Sequence, residues 1–341
     1  MRSAFEEIRL AMEAKERGEK EHALLTARAD GVDVDLNLLW DYNHSINVRL
    51  GNATDLVELV PSTSLEDLLL MHKNCKGCYS RHGTRWTPDV LKAVGHNKTT
   101  IEFDFMYALH FYEAKLTGNY WMVNMCLDSP LPKCALDLIV FAVERATPWY
   151  SANSDGYLGL APLKPTTVGK NEANRNNVME QMQKHNMIDK KVFGVHTHMF
   201  NSTEDPSQIR FGGYNEELIR EGHDLVWFNT SNQHAWSIEI SSGGLHIDIF
   251  SNKSMHAIVD PAYPYIAMPK HAFAQFAETL KFAYPGEPVT CNGADWCYFF
   301  TPCDEVALFL PDLWFKAKTS DGQVVDLRVP PKSFLYPDTD Y

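Results

Sequence analysis

Ile258-Val259-Asp260-Pro261-Ala262 decides how this chain is read. With Ala257 before it, an apolar run ends on one carboxylate, and the next residue is a proline, which has no backbone N–H to donate. Outward from this point the sequence alternates. Leu245-His246-Ile247-Asp248-Ile249 has the two-residue period of a half-buried strand. Ser242-Gly243-Gly244, Tyr284-Pro285-Gly286 and Ser320-Asp321-Gly322 are turn signals between such runs. Helical spacing is confined to residues 1–17, about 171–187 and about 269–281, where Pro269 suits a first helical turn. These patterns predict a mostly β chain.

Five further segments give the reading its specificity. They are Asp155-Gly156-Tyr157-Leu158-Gly159-Leu160-Ala161, Phe211-Gly212-Gly213, Trp236-Ser237-Ile238-Glu239-Ile240, Met268-Pro269-Lys270 and Leu310-Pro311-Asp312-Leu313. In this order and spacing, over roughly residues 40–335, the chain resembles the pepsin-like aspartic proteases, including cathepsin D. That family writes Asp-Thr-Gly where this chain has Asp260-Pro261-Ala262. Counting back from Cys75 of the Cys75/Cys78 loop at the family spacing puts Ser62-Thr63-Ser64 at the other Asp-Thr-Gly. Leu68-Leu69-Leu70 then stands for the next strand. The resemblance also places Phe105 at the family's flap tyrosine, with Met106 and Ala108 at the flap glycines.

The chemistry implied by these replacements is a loss. The family's two carboxylates share a proton, so that one acts as base and the other as acid on a water. A serine at position 62 cannot ionise near neutral pH, and Asp260 alone lacks its partner acid. Ser64 and Ala262 replace glycines, whose backbone freedom the loops are expected to need. Pro261 removes both an N–H and the threonine hydroxyl that would help link the two loops. The resemblance therefore implies no catalytic residues, with Ser62 and Asp260 as degenerate dyad positions and Thr63, Ser64, Pro261 and Ala262 as altered loop positions. A rebuilt site using Glu66 or Asp67 is the rival reading.

Composition limits the rest. The chain has 341 residues, is 45% hydrophobic and 22% charged, and carries a formal net charge of -13. That length suffices for two lobes. The acidic balance argues against nucleic acid and anionic membranes as partners, and no apolar run reaches the length of a membrane span. Residues 1–30 lack the apolar core of a secretory signal and read as an amphipathic helix, with Phe5, Ile8, Ala11 and Met12 at helical spacing and Gly18 ending it.

Compartment signals oppose one another. Seven cysteines leave at least one thiol free, and Ser251–Met255 contain none where the family has a disulfide, which favours a reducing, intracellular site such as cytoplasm or mitochondrion. Asn-x-Ser/Thr sequons at Asn43, Asn52, Asn97, Asn201, Asn229 and Asn252 favour the secretory route.

Metal chemistry has weak candidates. His196 and His198 share one side of a strand, and Cys75-x-x-Cys78 could be half a zinc site, a redox pair or a structural loop. No metal or cofactor is expected. The aromatics Trp296, Tyr298, Phe299 and Phe300 are expected in packing, and their exposure would mark a docking surface.

The expectations are thus a helical extension over residues 1–35, a pepsin-like lobe over 36–188 and a second lobe over 189–341 that lacks its closing segment. A partner protein or the N-terminal extension would cover the sheet edge left open. The expected function is that of a non-catalytic pseudoprotease acting as a structural or interaction subunit of a protein assembly, not a transmembrane protein. The alternatives are a peptide- or protein-binding module using the old cleft and an endopeptidase with an atypical dyad.

Overall fold

The computed structural model describes residues 31–39, 43–51, 56–80, 92–93, 99–107, 110–129, 133–152, 154–162, 177–197, 207–219, 221–231, 235–245, 247–250, 254–283, 289–292 and 296–335. The helix expected over residues 1–17 lies outside them, and so do His198 and Ala108. Val32–Asp35, at the end of the stretch expected as a helical extension, is a strand.

In chain order the first half runs β1 (Val32–Asp35), β2 (Asn37–Leu38), β3 (His44–Leu50), β4 (Val57–Ser62), β5 (Leu68–Ser80), β6 (Lys92–Ala93), β7 (Thr99–Tyr107), β8 (His110–Leu127), β9 (Cys134–Ala152), β10 (Gly156–Gly159) and helix α1 (Val178–Lys184). The second half runs β11 (Phe193–His196), β12 (Gln208–Phe211), β13 (Ser237–Gly244), β14 (Asp248–Phe250), β15 (Met255–Ile258), α2 (Lys270–Ala283), β16 (Thr290–Asn292), β17 (Trp296–Tyr298), α3 (Cys303–Ala307), β18 (Leu313–Lys318) and β19 (Val324–Val329). The chain is mostly β and takes the two-lobed pepsin-like arrangement that its motifs imply. The expected helices near 171–187 and 269–281 are present as α1 and α2. The short α3 is not legible in the sequence; it starts after Pro302, with Asp304 and Glu305 in its first turn, where acidic groups favour the positive end of the helix.

The first lobe is one nine-stranded sheet in the order β2-β3-β4-β10-β5-β9-β8-β6, with β7 paired to β8 and an extra β3–β8 ladder. Its strands are apolar because both faces are covered. Ile46, Leu59, Leu70 and Val140 pack on one face with α1 and with Ile209 and Phe211 of β12. Val60, Leu69, Phe141 and Tyr120 pack on the other. A three-stranded sheet, β1-β12-β11, joins the beginning of the chain to its middle. The second lobe has a five-stranded sheet, β14-β13-β18-β19 with β15 on β13, over a smaller core of Leu245, Ile249, Ala272, Leu280, Val306 and Leu313.

Strand β10 holds the end of β4 in place. It inserts between β4, to which it is parallel, and β5, to which it is antiparallel. Asp155 fixes its start: the Asp155 carboxylate accepts from Glu58 N at 2.9 Å, and the Asp155 N–H donates back to the Glu58 carbonyl at 2.9 Å. A Cβ on Gly156 would stand 1.9 Å from the Leu69 carbonyl oxygen, and one on Gly159 would stand 2.4 Å from that of Asp67. Only glycine lets the strand approach so closely.

Six cysteines pair: Cys75–Cys78, Cys126–Cys134 and Cys291–Cys297. The latter two join residues directly opposite in the β8–β9 and β16–β17 ladders. Cys303 is free, and burial pushes its thiol pKa up. Asn43, in one of the sequons, is buried and unfit to carry a glycan, whereas Asn229 is exposed.

Candidate functional site

Two strands from different lobes deliver the Ser62 loop and the Asp260 loop to one point. Strand β4 ends at Ser62, which is 2% exposed. Strand β15 ends two residues before Asp260. The Ser62 hydroxyl donates to Asp260 Oδ2 at 3.1 Å, so the positions assigned from sequence do face each other.

Three backbone N–H groups complete the ring around this carboxylate. Ser64 N donates to Oδ2 at 3.2 Å, Thr63 N to Oδ1 at 2.9 Å and Ala262 N to Oδ1 at 3.0 Å. A carboxylate has about four lone-pair sites. Four donors from the chain itself therefore match the acceptor capacity of Asp260. Thr63 Oγ1 donates to the Val259 carbonyl at 2.5 Å, tying the first loop to the second. No reciprocal bond can come from Pro261, which has neither hydroxyl nor N–H. The link between the loops is one-sided.

The supports lie in the flanking strands. Leu160 N donates to the Ser62 carbonyl at 2.7 Å and Ala161 N to that of Leu65 at 2.9 Å, which moors the first loop to the end of β10. Trp236 bridges the two sides: its indole N–H donates to the Leu160 carbonyl at 2.8 Å, and its own carbonyl accepts from Val259 N at 3.1 Å. Phe193 packs edge-on against the Trp236 ring, with centroids 5.5 Å apart. Ala262 is buried in the first lobe's core beside Leu65 and Tyr120. In the sequence, Trp236 is visible only as part of a strand motif; its bridging role depends on where Leu160 ends up.

The glycine replacements do less than the sequence implies. The loss of glycine at positions 64 and 262 is expected to conflict with backbone geometry. Neither Ser64 nor Ala262 has a positive φ, so their Cβ atoms sit without backbone strain. The replacements matter for what they add, side-chain bulk beside Asp260, rather than for a strained turn.

The remaining candidates separate. Phe105 lies in β7 opposite Tyr112 of β8, and Met106 opposite Phe111, next to the Tyr107–His110 pair where that ladder ends. Asp67 accepts from Tyr120 Oη at 3.4 Å. Cys75 and Cys78 are joined as a disulfide, the structural alternative for that loop. His196 is on β11, and among the described residues no group of His, Cys, Asp and Glu is arranged to hold a metal. Phe299 packs on the second lobe's core, while Tyr298 and Phe300 are exposed with ring centroids 5.3 Å apart. Among the described residues, no helix is long and apolar enough to cross a membrane.

Comparison with known proteins agrees with the fold. The family model described as eukaryotic aspartyl protease matches residues 136–340, more than half of the chain, and includes the Asp260 loop but not the Ser62 loop. Plasmepsin VIII of Plasmodium berghei (strain Anka) is 20% identical over 245 residues, covering 69% of this chain and 61% of that protein. The chain thus spans under two thirds of the length of the relative it matches. Motif order, the two-lobed β architecture, the meeting of the loops at Ser62 and Asp260, and the family match place this chain in the eukaryotic aspartyl protease family.

Proposed function

We propose that the chain is a non-catalytic member of this family of aspartic endopeptidases and serves as a structural or interaction subunit of a protein assembly. One observation carries the reading: across from Asp260 stands the hydroxyl of Ser62, not a second carboxylate. Water activation in this family needs two carboxyl groups sharing one proton. A serine hydroxyl, whose pKa lies far above that of a carboxylic acid, does not replace the missing acid. The four chain donors on Asp260 reinforce this, because the carboxylate is engaged as a structural acceptor that binds the two loops together.

The subunit role draws on the surface. Phe282 at 88%, Leu308 at 77%, Phe300 at 69% and Phe309 at 68% exposure all belong to the second lobe. Large apolar side chains left in water on one lobe fit a surface that is covered in an assembly. We assign the lobes to residues 36–188 and 189–341.

The test is isolation of the tagged chain from its native cell under gentle conditions. Co-purification of the same partners in fixed stoichiometry through two orthogonal columns is expected. Recovery as a lone, monodisperse chain that cleaves unfolded protein at acid pH would refute the reading.

A further inference from the structure

Asn229-Thr230-Ser231 has the Asn-x-Ser/Thr pattern of an N-glycosylation acceptor, and the function proposed above makes no use of it. The triplets at Asn52, Asn97, Asn201 and Asn252 lie outside the described residues. The two within them differ in surroundings. Asn43 is buried, and the Ser45 hydroxyl two positions on is buried as well and donates to Glu58 at 2.7 Å. A sugar on Asn43 would have to enter the core. Asn229 is exposed, in a stretch between β12 and β13 that forms neither helix nor strand. Its side chain has no hydrogen-bond partner among the described residues.

The backbone is pinned on either side of this asparagine. The Trp227 carbonyl accepts from Ser320 N at 2.7 Å, and Ser231 N donates to the Ser237 carbonyl at 2.8 Å. Asn229 and Thr230, between these anchors, face solvent. The side chains just before them are apolar and in water: Leu225 is 41% exposed, Val226 53% and Trp227 62%. Tyr214, itself partly exposed, stands edge-on to the Trp227 ring with centroids 6.5 Å apart. Three disulfides, two of them across strand ladders, suit an oxidising lumen, the kind of compartment in which N-glycosylation takes place.

We propose that Asn229 carries an N-linked oligosaccharide, and that its sugars cover Trp227 and the apolar side chains beside it. The donor is an oligosaccharide held on a lipid pyrophosphate. A bond forms between Asn229 Nδ2 and the anomeric carbon of the first sugar, and that carbon's bond to the pyrophosphate oxygen breaks. The amide gives up one proton, and the lipid pyrophosphate leaves. Transfer takes place on the unfolded chain, before the Ser231 hydroxyl comes to lie 2.9 Å from that of Ser237. The folded chain has only to leave room for the product, which it does at Asn229 and not at Asn43. The C–H faces of sugar rings rest well on an aromatic face, and the sugar hydroxyls turn an apolar surface into a polar one.

The test uses the full chain purified from its native cell. Glycans are released with a peptide-N-glycosidase in heavy-oxygen water, which leaves an isotope-marked aspartate wherever a sugar was attached, and peptides are read by mass spectrometry. A marked aspartate at position 229 and an intact asparagine at position 43 are expected. Asn229→Gln and Ser231→Ala, each expected to fold normally, should lose one glycan's shift on a gel, and Ser231→Thr should keep it. Release of the glycans from the native protein should raise the fluorescence of a hydrophobic dye at least about twofold, and a Trp227→Ala protein should show a smaller rise. An unmarked Asn229 would overturn the assignment, as would a mark at Asn43 in its place or residence of the chain in the cytoplasm. Equal dye responses in the two proteins would overturn the covering of Trp227. The assignment stands or falls independently of the subunit reading.

Discussion

Strands β4 and β15 hold corresponding places in the two lobes, yet they live in different solvents. β4 is flanked by β3 and β10, and Ser62 at its end is shut away from water. β15 has one described neighbour, alternates exposure along its length and leads into an exposed Val259 and a partly buried Asp260. The polar group that could do chemistry is thus on the loosely held side, and the tightly held side supplies its ligands. Three of the four donors on Asp260 belong to the first-lobe loop, namely Ser62 Oγ, Thr63 N and Ser64 N. Asp260 acts as a peg gripped by the first lobe.

The largest effect that tests this contrast is a pair of truncations. Leu70→Ala removes a fully buried side chain from β5, and about 2–5 kcal/mol of stability should be lost in urea unfolding. Val259→Ala, at the exposed end of the other lobe, should change stability by no more than about 0.5 kcal/mol. Similar losses at both positions would mean that the two strands are equally enclosed, and the contrast would be gone.

Next is the peg itself. Asp260→Ala leaves the N–H groups of Thr63, Ser64 and Ala262 without their acceptor. A partly buried unsatisfied donor costs roughly 1–3 kcal/mol, so the variant should lose about 2–4 kcal/mol; Asp260→Asn, which keeps one carbonyl acceptor, should lose less. A stabilised Asp260→Ala protein would instead point to a carboxylate held under strain for function. Thr63→Val deletes the one hydroxyl link to Val259 and should cost about 1 kcal/mol. Pairing it with Pro261→Thr, which reintroduces a hydroxyl on the opposite loop, would sharpen the result, because recovery would show that the one-sided link limits stability.

What can be read from the sequence divides along physical lines. Ser62 and Asp260 are legible because strand-terminal motifs and a cysteine spacing are one-dimensional signals. Saturation of Asp260 is not, since its donors are mostly backbone N–H groups, which every non-proline residue carries alike. The cost expected of Ser64 and Ala262 does not materialise, because φ at a loop residue is set by what the loop packs on. Cys126–Cys134 and Cys291–Cys297 are hidden in the sequence because strand register, not spacing, sets those cysteines opposite each other. Their pairing also weakens the inference of a reducing compartment drawn from the family disulfide missing around residues 251–255.

The smallest expected effect is the response to pH. Burial lowers the pKa of His44 on β3, and burial is also the leading cause for His72 on β5 and His185 just after α1. Each is held neutral in the folded chain below the pH at which it would charge when unfolded. The unfolded chain therefore binds more protons, and stability rises with pH in this window. Acidification should begin to lower stability near pH 6.5, the ordinary histidine value, and continue until the folded-state values are passed. His44→Gln should flatten that slope in a urea series between pH 7.5 and 5. A slope that survives in the variant would place the sensitivity outside this part of the first lobe.

The central claim is that a lone carboxylate facing a hydroxyl does not activate water. The most direct measurement is turnover of an unbiased peptide library by the wild-type chain and by Asp260→Asn, each between pH 3 and 7 with and without pepstatin, with cut sites mapped by mass spectrometry. Identical maps for the two proteins and no pepstatin-sensitive cuts are expected; cuts that vanish in Asp260→Asn and with pepstatin would contradict the claim.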